Sequence, residues 1–221
     1  MEARDRTAEI MVAEARKAFW VMVGFLAFIW LVQIANWVAD YMLSRRHGVE
    51  AWDLDGLPGI VSAPFLHWDW EHIQANSGPL FIFGFLAAYR GVAKFLWVTG
   101  LIILASGLGV WFTSDPGSVT AGASGVVFGY FGYVLVRGAF DRHLIDIVIG
   151  VVMALCFAYQ FAGLLPQQEG ISWQGHLFGF VGGVLGGWLF RDRRSLRPAA
   201  PAAPPGSAAA LLKEIDDLGR G

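Results

Sequence analysis

The sequence predicts an all-α polytopic membrane protein: six membrane-crossing helices in one bundle, flanked by short polar ends. Three observations predict it. First, 56% of the 221 residues are hydrophobic and only 15% are charged, and mean hydropathy is +0.52. A soluble domain of this length cannot bury that much apolar surface. Second, the apolar residues gather into six stretches, near 19–42, 72–89, 93–112, 122–139, 143–165 and 173–190. Each is close to the ~20 residues that cross a bilayer core, where only a helix satisfies its own backbone. Third, Lys and Arg fall mostly on alternate connections, as they do when one side of a membrane is cytoplasmic.

The elements follow in chain order. Residues 1–18 form a cytoplasmic N-terminal segment. Its acids Glu2, Asp5, Glu9 and Glu14 argue against a targeting peptide, and Ile10, Val12 and Ala15 suit a short amphipathic helix. Residues 19–190 form the membrane domain. Its second stretch is the least apolar, opening with His72, Gln74, Asn76 and Ser77. The fourth and sixth are rich in glycine. Residues 191–221 are Pro/Ala-rich and then charged, which suits a flexible cytoplasmic tail. Arg4, Arg6, Arg16 and Lys17 precede the first stretch, Arg90 and Lys94 follow the second, Arg137 and Arg142 the fourth, and Arg191, Arg193, Arg194 and Arg197 the sixth. Both termini are therefore expected in the cytoplasm of a multi-pass cell-membrane protein. Net charge is −2, which gives no reason to invoke nucleic acid. The single cysteine, Cys156, excludes an intrachain disulfide and a multi-cysteine metal site. Its apolar neighbours suggest a small buried residue.

This orientation brings polar side chains together. Stretches two, four and six all run inward, so their first turns meet near the outer surface. His72 and Asn76 are four apart and share one helix face. Ser124 opens the fourth stretch, and His176 lies in the first turn of the sixth. Gly125 and Gly129 form a ridge below Ser124; Gly179, Gly183 and Gly187 form one below His176. Facing small-residue ridges let two helices approach closely. Ser124 and His176 then become neighbours, as general-base activation of a hydroxyl requires. Polar side chains inside a bilayer are costly and mark function by default.

Gly122-Ala-Ser124-Gly125, the run His67, His72 and Asn76, and His176 followed by Gly179 and Gly183 together resemble the rhomboid intramembrane serine proteases. The resemblance spans roughly residues 19–190 and implies the six-helix bacterial core. It implies that Ser124 is the nucleophile and His176 its base, in a dyad without a carboxylate. His72 and Asn76 would join the Ser124 backbone N–H in holding the oxyanion, with His67, Gly122, Gly125 and Phe128 in support. It also implies single-span membrane proteins as substrates, cleaved in or near their transmembrane segment with small side chains before the cut. The site would open to the outer side and need no metal or cofactor. The residues suit this: the nearest acid to His176 is Glu169, so a dyad is natural. The chain departs from the family twice. Phe128 stands where a tyrosine is usual, and the first loop has Arg45, Arg46 and Trp52 but no adjacent Trp-Arg pair. Two other classes compete. A catalytically silent rhomboid-like protein would bind transmembrane clients. A small transporter would carry mid-membrane charge or inverted repeats; the fifth stretch holds only Asp146 near its inner end, and no repeat is evident.

Overall fold

The computed structural model describes residues 2–166 and 170–192, and it is predominantly helical. The chain divides into two units, 1–191 and 192–221. The tail from 193 onward, and Glu169, lie outside the described residues. Six long helices stand at the positions of the six apolar stretches: α1 (Glu2–Val38), α4 (Trp70–Ala88), α5 (Val92–Thr113), α6 (Ser124–Asp141), α7 (Leu144–Cys156) and α8 (Trp173–Leu189). Between α1 and α4 lie the short helices α2 (Met42–His47) and α3 (Gly59–Ser62).

By length and composition α1 and α5 can each cross a membrane, and α7 joins them only if counted with the 3-10 segment Ala158–Leu164. The glycines and polar residues of α4, α6 and α8 lower their hydropathy. Their neighbours shield them instead: α6 is buried almost all round from Gly125 to Val134. α6 sits at the centre, packed by α4, α5, α7 and α8.

Residue pairs give the helix directions. His72 lies on Gly122, Phe83 on Phe131, and Arg137 donates to the Leu86 carbonyl, so α4 and α6 run parallel. Gly179 abuts Gly125 and Gly183 abuts Gly129, so α8 runs parallel to α6 as well. α5 runs against them, with Ser106 at Gly125 and Ile102 at Gly129. The three helices expected to start together do so.

α1 runs unbroken from Glu2 to Val38 and then turns off, where Asp40 and Tyr41 take positive φ. Two expectations change. The fifth stretch is not one helix: it bends by 73° after Cys156 into the 3-10 segment. Cys156 is exposed on the bundle surface, not buried. α7 turns Gly150 and Asp146 toward α6 and leaves Leu155 and Cys156 on the far side.

The first turn of α7 is pinned by charge. Asp146 pairs with Arg137 of α6 at 2.9 Å, both side chains 3% exposed, and with Arg90 after α4. The first loop is held without a Trp-Arg pair. β1 (Val49–Glu50) pairs antiparallel with β2 (Val119–Thr120). The Trp52 indole donates to the Ser114 carbonyl at 3.0 Å, and the Trp111 indole donates to the Asp53 carbonyl at 2.8 Å.

Candidate active site

Ser124 is the first residue of α6, one residue beyond a built corner. Gly122 has φ +145°, and a Cβ there would lie 2.6 Å from His72 Cε1, so only glycine fits. Its N–H donates to the Ala63 carbonyl at 2.9 Å, and the Ala123 N–H donates to His67 Nε2 at 3.3 Å. The Val126 and Val127 N–H groups close back onto the Ala123 carbonyl. Ser124 and Gly125 therefore begin the helix with N–H groups that have no intrahelical acceptor, at its positive end.

α8 starts with Ser172 capping the Gly175 N–H at 3.2 Å. His176 follows in the first turn and is buried. Phe128, one turn below Ser124 on the same face, stacks on its imidazole with centroids 4.1 Å apart and planes 10° off parallel. His176 Nδ1 lies 2.9 Å from the Gly163 carbonyl. A carbonyl only accepts, so Nδ1 carries the proton and Nε2 is the free base. No hydrogen bond joins the Ser124 hydroxyl to His176 among the described residues. Such bonds are commonly long before substrate binds. The two helices are brought close by Gly179 against Gly125 and Gly183 against Gly129, where a side chain would run into backbone.

His72 lies against Gly122. Asn76, one turn along the same face, is buried with its Nδ2 unpartnered among the described residues. His67 precedes α4 in the loop, fully buried and edge-on to His72 at 5.0 Å. Burial, with His72 second, pushes its imidazole down to about 3, so it stays neutral. His67, His72, Asn76, Gly122, Ser124, Phe128 and His176 thus all lie toward the end of the bundle where α4, α6 and α8 begin. A small pocket of about 30 Å³ lies beside Ser124, bounded also by Gly122, Ser106, Val110, Ile60 and Gly175.

Two contributors escaped the sequence. The Gly163 carbonyl is a backbone group, placed by a break that the apolar run 143–165 hides. Ser106 of α5 donates to the Gly175 carbonyl at 2.9 Å; a serine in an apolar helix carries no signal of its partner.

The Rhomboid domain family model matches residues 54–193. An uncharacterized protein of Mycobacterium tuberculosis is 37% identical over 197 residues, which is 81% of this chain and 82% of that protein. YdcA of Bacillus subtilis, named as a candidate rhomboid protease, is 29% identical over 184 residues, 78% of this chain and 91% of that protein. Rhomboid-like protein 11, chloroplastic, of Arabidopsis thaliana is 28% identical over 196 residues, 79% of this chain and 65% of that protein.

Proposed function

The chain belongs to the rhomboid family, and on that premise we propose that it is an intramembrane serine endopeptidase using Ser124 and His176. The observation that carries this is the mounting of His176. It is stacked on Phe128, held at Nδ1 by Gly163 and pressed against the helix that Ser124 opens. That fixes both tautomer and ring plane without a carboxylate.

In the proposed reaction the substrate carbonyl lies over the start of α6. The Ser124 oxygen attacks it and His176 Nε2 takes the hydroxyl proton. The developing oxyanion is received by the Ser124 N–H, the free Asn76 amide and His72. One such donor is typically worth ~2.7–4 kcal/mol in the transition state. The C–N bond breaks as His176 returns the proton to the leaving amine. His176 then deprotonates a water, which attacks the acyl ester; the C–Oγ bond breaks and His176 returns the proton to the Ser124 oxygen. The pocket beside Ser124 suits the small side chain before the cut.

The proposal includes six membrane crossings, cytoplasmic termini and a site facing outward. Residues 19–190 then form the catalytic domain, with 1–18 and 191–221 on the cytoplasmic side. Substrates are single-span proteins entering from the bilayer. A silent, client-binding protein is the second reading, favoured by the missing hydroxyl at Phe128. The experiment is cleavage of a model single-span substrate. Ser124→Ala and His176→Ala should each abolish it at near wild-type stability, and the double variant should be no worse, because the two act as one unit. Undiminished cleavage in either single variant would refute the dyad.

A further inference from the structure

Two buried polar groups near the site have no role in the chemistry above. Gln33 of α1 is fully buried, and neither its Oε1 nor its Nε2 meets a partner among the described residues. His67 is also fully buried, and its Nδ1 is equally without one. The other His67 nitrogen is committed, since Nε2 accepts from the Ala123 N–H. A neutral imidazole that accepts at Nε2 carries its proton on Nδ1. His67 therefore presents a buried N–H, and Gln33 a buried carbonyl oxygen.

A contact one helical turn from Gln33 ties α1 to His67. Asn36 lies three residues beyond Gln33, on the same face of α1. Its Nδ2 donates to the His67 carbonyl at 2.8 Å. Gln33 is thus one turn, ~4.5 Å along the axis, from the residue that grips the His67 backbone. Buried polar groups left unpaired are destabilising, and a water with two to four polar partners is the common remedy.

We propose that Gln33 is a positioning residue that reaches His67 through one bound water. The His67 Nδ1–H donates to the water, and the water donates to Gln33 Oε1. The bridge fixes the imidazole, and His67 in turn holds the Ala123 N–H, one residue before Ser124. α1, which supplies no reacting group, thereby sets the corner from which the nucleophile and the first oxyanion donor project. The effect on turnover rests on the protease reading; the bridge itself does not.

The test uses full-length protein with ¹⁵N-labelled histidine, the His67 signals being assigned by their loss in His67→Gln. Wild type should show His67 protonated at Nδ1, with slow exchange. Gln33→Met should move that signal, leave His47 and His143 in place, and lower kcat at least fivefold with KM within twofold. Gln33→Glu, which keeps an acceptor oxygen, should restore both. An unmoved His67 signal in folded Gln33→Met would overturn the proposal. If Gln33→Met does not fold, the wild-type spectrum decides: a proton on Nε2, or an Nδ1 proton in fast exchange, overturns the bridge. If wild type cleaves nothing, the protease reading fails while the His67 spectrum still judges the bridge.

Discussion

At the scale of single residues, Phe128 and His67 decide how the site is supported. Phe128 gives His176 a flat apolar seat. If the seat is what the ring supplies, Phe128→Ala should lower turnover at least tenfold, about 1.4 kcal/mol in barrier height. Phe128→Tyr should change it little; a large gain with tyrosine would make the hydroxyl the missing part. His67 makes stability depend on acid. Below the ordinary histidine value of 6.5 the unfolded chain takes up a proton that the folded ring refuses until about 3. Its contribution is therefore complete above that window and is lost as pH falls through it. Thermal unfolding followed from pH 7 to pH 4 should show this decline, and His67→Gln should flatten it. An equal slope in both proteins would remove His67 as the cause.

At the scale of helices, close approach of α6 and α8 is what makes a site possible. A Cβ on Gly183 would run into the backbone carbonyl of Gly129, which cannot rotate away. Gly183→Ala should lower the unfolding temperature and activity together, with a cost of about 1–3 kcal/mol from overpacking. Gly100 of α5 is the control, because nothing lies within 4 Å of its would-be Cβ. Gly100→Ala should be neutral or slightly stabilising, alanine being the better helix former by about 1 kcal/mol. Equal effects at the two positions would contradict the ridge. This part of the fold was legible in the sequence because glycines four apart state both the face and the closeness. Ser124, His176, His72 and Asn76 were legible because their spacing put them at the starts of three like-directed helices. The support was not. The 73° break after Cys156 sits inside a continuous apolar run. The Gly163 carbonyl that orients His176 is a group every residue carries. The indoles that anchor the first loop bond backbone carbonyls more than 50 residues away, which local pattern does not encode.

At the scale of the whole molecule, the Asp146 ion-pair cluster and the chemistry occupy opposite ends of the bundle. Asp146, Arg137 and Arg90 clamp the ends of α4, α6 and α7, and α7 leads into the segment that supplies Gly163. Removing one partner of a buried ion pair typically costs about 3–5 kcal/mol. Asp146→Asn, which leaves two arginines without their carboxylate, should destabilise the protein by about that amount in chemical unfolding. The proposed topology puts this clamp on the cytoplasmic side. With Cys156 replaced, a cysteine at Ser118 should react with an impermeant reagent from outside, and one at Gly91 should not; the reverse would turn the site to the cytoplasm. The central claim is that Ser124 is a nucleophile activated by His176. Its most direct measurement is covalent labelling of the full-length protein by a fluorophosphonate, with the modified residue located by mass spectrometry. Wild type should carry one adduct, on Ser124, and His176→Ala should carry none. A folded wild type that stays unlabelled, or an adduct on Ser124 that forms equally fast without His176, would contradict it.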